Sequence, residues 1–517
     1  MSTAKQDGWH HTSPLAALFY LGKIYQAIAK NAVQSLAPLV GLLFAYQGDL
    51  KTKLIFGASV FFAVTVIGAI LRYLFFRYQI TDDSILIREG VLKKTQIDIK
   101  FDRIQAINTQ QSVIYRAFGL VTVMLDTAGS KKQEGNIPAV KAALANDLKE
   151  RIRQAAPARS AVGEASSNED EQEERTSNAR PLLLLRAVDM VKIGLSSNRA
   201  LIFLVFLGPL FQQMGARVED DIGESIEEGI KSGKLVTAME GTQVTIADGL
   251  GLGLLIVVGV LLFLILASIT GAFLRYHGFS LVTDNNVLRS TGGLLTRHEH
   301  SINLAKVQTV VTKQNVMLRL FRQFSLQARQ ASSGRGSRGK NFIIPLCEPG
   351  QLPGLRAELF GDENKGAILD PKDPGFLPIE TQYFRSRFVL TGVLPAVALT
   401  TLMLVPMGLF ALIFLLWIPL DAYIVWRLFK CYGVLVTADG FSLRRGFVGF
   451  RVTTFLHRKV QRVSVTQTLS QRRKGLATLR FYLASGTIKV PYVNFEKANE
   501  LRDYVLYHIE SSQLAWH

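Results

Sequence analysis

The residues of greatest chemical potential are Gly334-Arg335-Gly336-Ser337-Arg338-Gly339-Lys340-Asn341. Their spacing is that of a phosphate-cradling P-loop up to the last position, where Asn341 replaces the Ser or Thr hydroxyl that binds magnesium. A working P-loop also opens a helix, and the strand-like Asn341-Phe342-Ile343-Ile344-Pro345 cannot open a long one. Gly129-Ser130-Lys131-Lys132-Gln133-Glu134-Gly135 sits at the corresponding place earlier in the chain. Both segments read as basic hairpin loops that either touch lipid phosphates or are simply solvated, and not as a nucleotide-hydrolysing site. His298-Glu299-His300 puts two imidazoles on one side of a strand, but no third ligand stands nearby in sequence, so an exposed strand edge is the better reading than a metal site. Gly249-x-Gly251-x-Gly253 opens an apolar stretch, where small residues let helices pack closely. The two cysteines, Cys347 and Cys431, cannot build a disulfide framework or a four-cysteine zinc site. With no nucleophile elbow and no paired carboxylates, the sequence points to no enzyme, no cofactor and no metal.

The basic residues are the stronger lead. Lys and Arg number 59 against 41 Asp and Glu, a formal charge of +18. Such a balance favours polyanions, either nucleic acid or the anionic face of a membrane. No aromatic-interleaved basic surface or nucleic-acid motif accompanies the charge, so a nucleic-acid partner is not expected. Hydrophobic residues make up 48% of the chain, which excludes a disordered protein and argues against a purely soluble one.

Six apolar stretches fall in three pairs: Ala32–Tyr46 with Leu54–Phe76, Ala200–Met214 with Leu250–Leu274, and two within Phe388–Trp426 divided at Pro406. About 20 apolar residues cover a hydrocarbon core, and the uncharged Leu250–Leu274 meets that most clearly. Basic residues flank each pair: Lys23 and Lys30 before the first, Arg186, Lys192 and Arg199 before the second, Arg427 and Lys430 after the third. By the positive-inside rule, the large polar regions and both termini face the cytoplasm of a multi-pass inner or plasma membrane protein. Met1–Lys30 holds no compact apolar core with a cleavage site, so no secretory signal is expected there.

A polar region follows each pair, and the three regions repeat one another. Asp102-Arg103-Ile104-Gln105-Ala106-Ile107 corresponds to Ala305-Lys306-Val307-Gln308-Thr309-Val310 and to Arg458-Lys459-Val460-Gln461-Arg462-Val463. From each central Gln, a second Gln lies six residues on (Gln111, Gln314, Gln467) and an Arg eleven on (Arg116, Arg319, Arg472). Apolar residues alternate along Ile85, Ile87, Ile97, Ile99 and Val121, Val123, Leu125, which predicts strands with one buried face. Val140, Leu144, Leu148 and Ile152 then recur at helical spacing, as do Leu501, Val505 and Ile509. Each region is therefore expected to be a small antiparallel barrel or sandwich closed by one amphipathic helix.

The Asp102-Arg103-Ile104-Gln105 and Arg116-Ala117-Phe118-Gly119-Leu120 motifs, directly after a hydrophobic pair, resemble the bacterial membrane-flanked pleckstrin-homology-like (PH-like) domain family. The resemblance covers Tyr78–Arg153, His277–Leu359 and Tyr432–Ile509; the third region keeps Lys474-Gly475-Leu476, while the second has Arg322 where the others have Gly119 and Gly475. It implies a mixed membrane protein, with paired transmembrane α-helices and three α+β PH-like barrels, and it implies no catalytic residues. The expected divisions are 1–77 (first span pair), 78–153, a flexible linker 154–180, 181–276 (second pair with an acidic loop), 277–360, a break 361–380, 381–431 (third pair) and 432–517.

The expected role is binding or scaffolding at the membrane, with anionic headgroups, a partner membrane protein or further copies of the chain as partners. Transport or export regulated by the PH-like domains is the alternative, and Asp421 is the acidic span residue it would use. The candidate binding residues are Arg103, Arg116, Lys131, Lys132, Arg335, Arg338, Lys340, Arg458, Lys459, Arg472 and Lys474.

Overall fold

A computed structural model describes residues 8–30, 50–91, 93–127, 135–155, 180–197, 246–284, 286–330, 341–361 and 364–511. The expected first members of the first two span pairs, the acidic loop, most of the 154–180 linker and the hairpin residues Lys131, Lys132, Arg335, Arg338 and Lys340 lie outside them.

The period-two patterns do form strands. The first copy holds β1 (Arg77–Ile80), β2 (Ser84–Glu89), β3 (Thr95–Lys100), β4 (Ile104–Ser112), β5 (Leu120–Thr127) and β6 (Gly135–Lys141). After β7 (Arg180–Leu184), the second copy holds β8 (Ser280–Asp284), β9 (Val287–Gly292), β10 (Thr296–Asn303), β11 (Val307–Gln314), β12 (Phe324–Gln330) and β13 (Phe342–Cys347). The third holds β14 (Gly433–Val436), β15 (Gly440–Gly446), β16 (Phe450–Leu456), β17 (Val460–Thr466), β18 (Leu476–Leu483) and β19 (Gly486–Asn494). A helix follows each set: Ala142–Ala155, Leu352–Phe360 and Phe495–Ser511. These helices bury Leu148 and Ile152, Leu355 and Leu359, and Val505 on their respective cores.

In place of a barrel closed within each copy, the strands of a copy form two three-stranded antiparallel sheets, and these continue across copies. The strand order β6-β5-β4-β10-β9-β8-β7 joins the second sheet of copy one to the first sheet of copy two. The order β13-β12-β11-β16-β15-β14 does the same for copies two and three. Hydrogen-bonded strands cannot be separated by a bilayer, so the three copies share one compartment.

The recurring residues have shared mechanical roles. Each central Gln falls at a register shift in the fourth strand: between Ile104 and Ala106, between Val307 and Thr309, and between Val460 and Arg462. Each second Gln donates its amide to a carbonyl beyond the next turn: Gln111 to Leu120 (3.0 Å), Gln314 to Gln323 (3.2 Å) and Gln467 to Leu476 (2.8 Å). The residue after it, Ser112, Asn315 or Thr468, caps a short helix through its side-chain oxygen. The turn where Arg322 replaces the glycine of the other copies keeps its shape: φ is +63° at Gly119, +55° at Arg322 and +62° at Gly475.

Among the described residues, three helices are long and apolar enough to cross a membrane: Ile55–Leu74, Val258–Tyr276 and Gln382–Cys431. The last is 50 residues long and bends at Gly408, whose φ is +56°. Its two arms pack side by side: Trp417 Nε1 donates to the Thr391 carbonyl at 2.9 Å, and the Thr391 hydroxyl donates to the Asp421 carboxylate at 3.1 Å. A helix not foreseen, Ala16–Lys30, lies along Leu50–Leu74, with Tyr25 near Phe61 and Tyr20 near Phe76. The expected break at 361–380 is instead a packed strap. Ala367 and Leu369 are buried, and Ile368 O accepts from Ser442 at 3.0 Å while Pro371 O accepts from Arg444 at 2.9 Å.

A non-glycine residue in the left-handed region costs roughly 1 kcal/mol. Arg322→Gly should therefore raise the thermal melting midpoint of the full chain, and Gly119→Ala should lower it. A lower midpoint for Arg322→Gly would contradict this account of the turn.

Candidate functional site

The C-terminal end of the helix Ile246–Tyr276 stands between two clefts, of about 660 and 730 Å³, both of a size that holds small ligands. They share Gly271, Arg275, Tyr276 and Ile343. The smaller joins the apolar helix residues Phe263, Leu264 and Ala267 to a polar end made of Ser196, Ser197, Arg275, Lys313 and Asn315. The larger runs to His298 and His300 on β10, whose rings stack 6.0 Å apart. Glu299, between them in sequence, is held by Lys149 and Thr109 of copy one, both at 2.8 Å. It is therefore committed to the junction between copies.

Several contacts shape the smaller cleft. The Ser268 hydroxyl donates to Gly194 O at 2.8 Å, locking the short helix Ala187–Leu195 onto the apolar one. Only glycine fits there, because a Cβ at Gly194 would lie 2.5 Å from Ile269 Cα. Asn315 donates to Ser196 O and caps Leu318 N, while the Ser196 hydroxyl itself is buried without a partner among the described residues.

One basic residue of this cleft, Lys313, stands at the junction of two copies. Lys313 on β11 faces Arg451 on β16, and Arg451 faces Arg445 on β15. Like charges directly opposite each other destabilise a sheet. Among the described residues no carboxylate pairs with any of the three. Lys313 is half-buried, and burial first, then Arg451 and Arg329, pulls its pKa below the usual lysine value. An anion bound beside it would relieve both effects.

The sequence-derived candidates divide. Arg103, Arg472 and Lys474 are exposed, and Arg458 is half-buried. Arg116 reaches the Leu294 carbonyl of copy two at 3.5 Å, and its counterpart Arg319 reaches Val448 O of copy three at 3.0 Å, so the repeated arginine joins copies. Lys459 does not lie on the surface: it is 5% exposed and donates to Ala305 O of copy two at 2.7 Å. Asp421 is buried, with Thr391 on its carboxylate and Gly392 against it, which is a hairpin contact. Sequence reasoning missed Lys313 as a site residue, because its neighbours Arg451 and Arg445 come from another copy and only inter-copy register brings them together.

A model of the bacterial PH domain family matches residues 19–156, 242–360 and 388–509. The UPF0699 transmembrane protein YdbT of Bacillus subtilis (strain 168) is 23% identical over 437 residues, covering 81% of this chain and 82% of that protein. No solved structure matches the chain.

Burial, with Arg458 adding to it, pulls the Lys459 pKa from its ordinary 10.5 down to about 8. The unfolded chain then binds this proton more tightly than the folded one, so stability rises with pH between about 8 and 10.5 and carries the full cost of the charge below that window. Melting midpoints should climb with pH across that window in the natural protein relative to Lys459→Met. Parallel pH profiles would refute the assignment.

Proposed function

The chain belongs to the bacterial PH domain family, and on that premise we propose that it is a membrane-anchored binding protein whose linked domains hold anionic lipid headgroups at the membrane surface. Its membrane residence and binding role accord with the three apolar helices and with its transmembrane relative. In this reading the long apolar helices cross the bilayer several times and the domains face the cytoplasm, as the basic flanks of the spans suggest. One observation carries the headgroup reading: the smaller cleft continues the apolar face of a membrane-crossing helix into a basic end holding Arg275 and Lys313. A phospholipid has the same polarity along its length, acyl chain beside Phe263 and Leu264, phosphate beside Lys313. The unpaired row Lys313, Arg451 and Arg445 supplies the attraction, at roughly 1 kcal/mol per cation near an anionic leaflet.

The test is lipid retention by the full chain in nanodiscs of phosphatidylglycerol against phosphatidylcholine, read by native mass spectrometry. Lys313→Gln combined with Arg451→Gln should weaken phosphatidylglycerol retention roughly tenfold or more, and raised salt should act in the same direction. Undiminished retention in the double variant refutes the cleft. If retention falls only when Lys131, Lys132, Arg335, Arg338 and Lys340 are neutralised, the hairpin loops are the headgroup contact instead.

A further inference from the structure

The two junctions between copies are one junction used twice. In the first, Arg297 of β10 faces Gln111 of β4; in the second, Phe450 of β16 faces Gln314 of β11. Counted from the central glutamines, the residue eleven before Gln308 or Gln461 faces the residue six after Gln105 or Gln308. The register is therefore identical, and the arginine eleven after each central Gln crosses both junctions to a carbonyl of the following copy.

A contact that joins unlike edges, repeated with one register, leaves one edge of each kind unused at the ends of the row. Those edges are β3 of copy one and β17 of copy three, each paired on one side only among the described residues. They look like vacated versions of the filled ones. Val310, Val311 and Thr312 on β11 are 0%, 0% and 1% exposed, whereas their equivalents Val463, Ser464 and Val465 on β17 are only half-buried. On β3, Thr95, Gln96, Asp98 and Lys100 are exposed. Arg472, the counterpart of Arg116 and Arg319, is exposed and its guanidinium has no hydrogen-bond or ion-pair partner among the described residues. Charge on β3 is no bar to pairing, since β10 and β16 carry Arg297 and Arg451 in filled junctions.

We infer that β17 of one molecule pairs with β3 of a second copy of this chain, in the register of the two internal junctions, so that the protein assembles head to tail. Lys94 of the second copy then faces Gln467, and Gln96 faces Val465. Arg472 lies against the turn before β3. An unpaired strand edge presents a row of unsatisfied amides and carbonyls, and the edge it fits is already defined by this chain. Each copy of the domain is tied to the same bilayer face, so the operation relating neighbours keeps the membrane normal fixed. The assembly is accordingly a ring or a row in the membrane plane.

The test uses full-length chains with one added cysteine each, in native membranes under mild oxidation; the natural Cys347 and Cys431 are both buried. Mixing Gln96→Cys chains with Val465→Cys chains should give a disulfide-linked dimer in yield well above either chain alone. Gln96→Cys mixed with Arg462→Cys, three residues out of register, should give severalfold less. The inference is overturned by a mixture that links no better than the single variants, or by equal yields for both pairings. It is also overturned if one chain carrying both Gln96→Cys and Val465→Cys links to itself at monomer mass, because the edges would then close within a single molecule.

Discussion

The constraint on which this molecule depends is the demand of an exposed strand edge for a partner. Each copy presents one edge at its third strand and another at its fourth, and the chain satisfies them by laying successive copies against one another. Backbone hydrogen bonds are obligatory where water is excluded, so a shared sheet of seven or six strands is a stiffer junction than side-chain contacts between separate barrels would be. Side chains then specialise around that pairing. Lys149 and Glu299 clasp the first junction, Lys459 crosses the second, and Arg116 and Arg319 reach over both. Residues that look in sequence like a basic surface for ligands are in part the fasteners between domains.

The same pairing produces the basic row. Register fixes which residues stand opposite, and here it brings Lys313 against Arg451 and Arg451 against Arg445. A junction chosen for stability alone would place a carboxylate at one of those positions, as the first junction does with Glu299 between Lys149 and Arg289. The second junction sets Lys313 against Arg451 instead, with Arg445 beside it, and Lys313 lines the cleft beside the helix Ile246–Tyr276. Uncompensated like charge kept where a cleft meets an apolar helix is a cost that a bound anion offsets.

Much of this was legible in the sequence because it is local. Period-two alternation marked the strands, and fixed offsets from Gln105, Gln308 and Gln461 marked three copies of one fold. The PH-like family and membrane residence followed from motifs and from long apolar runs. What could not be read is whatever depends on pairing between copies. Alternation says which face of β4 is buried, not whether its free edge meets β3 or β10, so a closed barrel was the natural expectation. Arg116 and Lys459 were likewise counted as surface cations, since nothing local shows a carbonyl of the next copy waiting at Leu294 or Ala305. The 361–380 strap reads in sequence as a break between units, yet its apolar Ala367 and Leu369 bury against the second core. The Arg322 turn misled in the other direction: the side chain changed while the backbone kept its left-handed shape.

The sheets are mounted on their membrane helices without slack. Leu74 is followed by β1 at Arg77, Tyr276 by β8 at Ser280, and Cys431 by β14 at Gly433. In the second copy the hairpin between β9 and β10 also closes on the helix end, Leu294 N donating to Leu274 O and Gly293 N to His277 O, both at 2.9 Å. Carbonyls that a helix C-terminus leaves free are thus taken up by the sheet it carries. On the proposed membrane topology, a domain held at three points through sheets continuous with its neighbours does not rock independently, so the cleft at the foot of Ile246–Tyr276 keeps one height above the bilayer. Fixed height favours a ligand that is itself confined to that depth, because neither side must be ordered on binding. Under the proposed headgroup binding, a soluble anion gains nothing from such an arrangement, whereas the phosphate of a membrane lipid does.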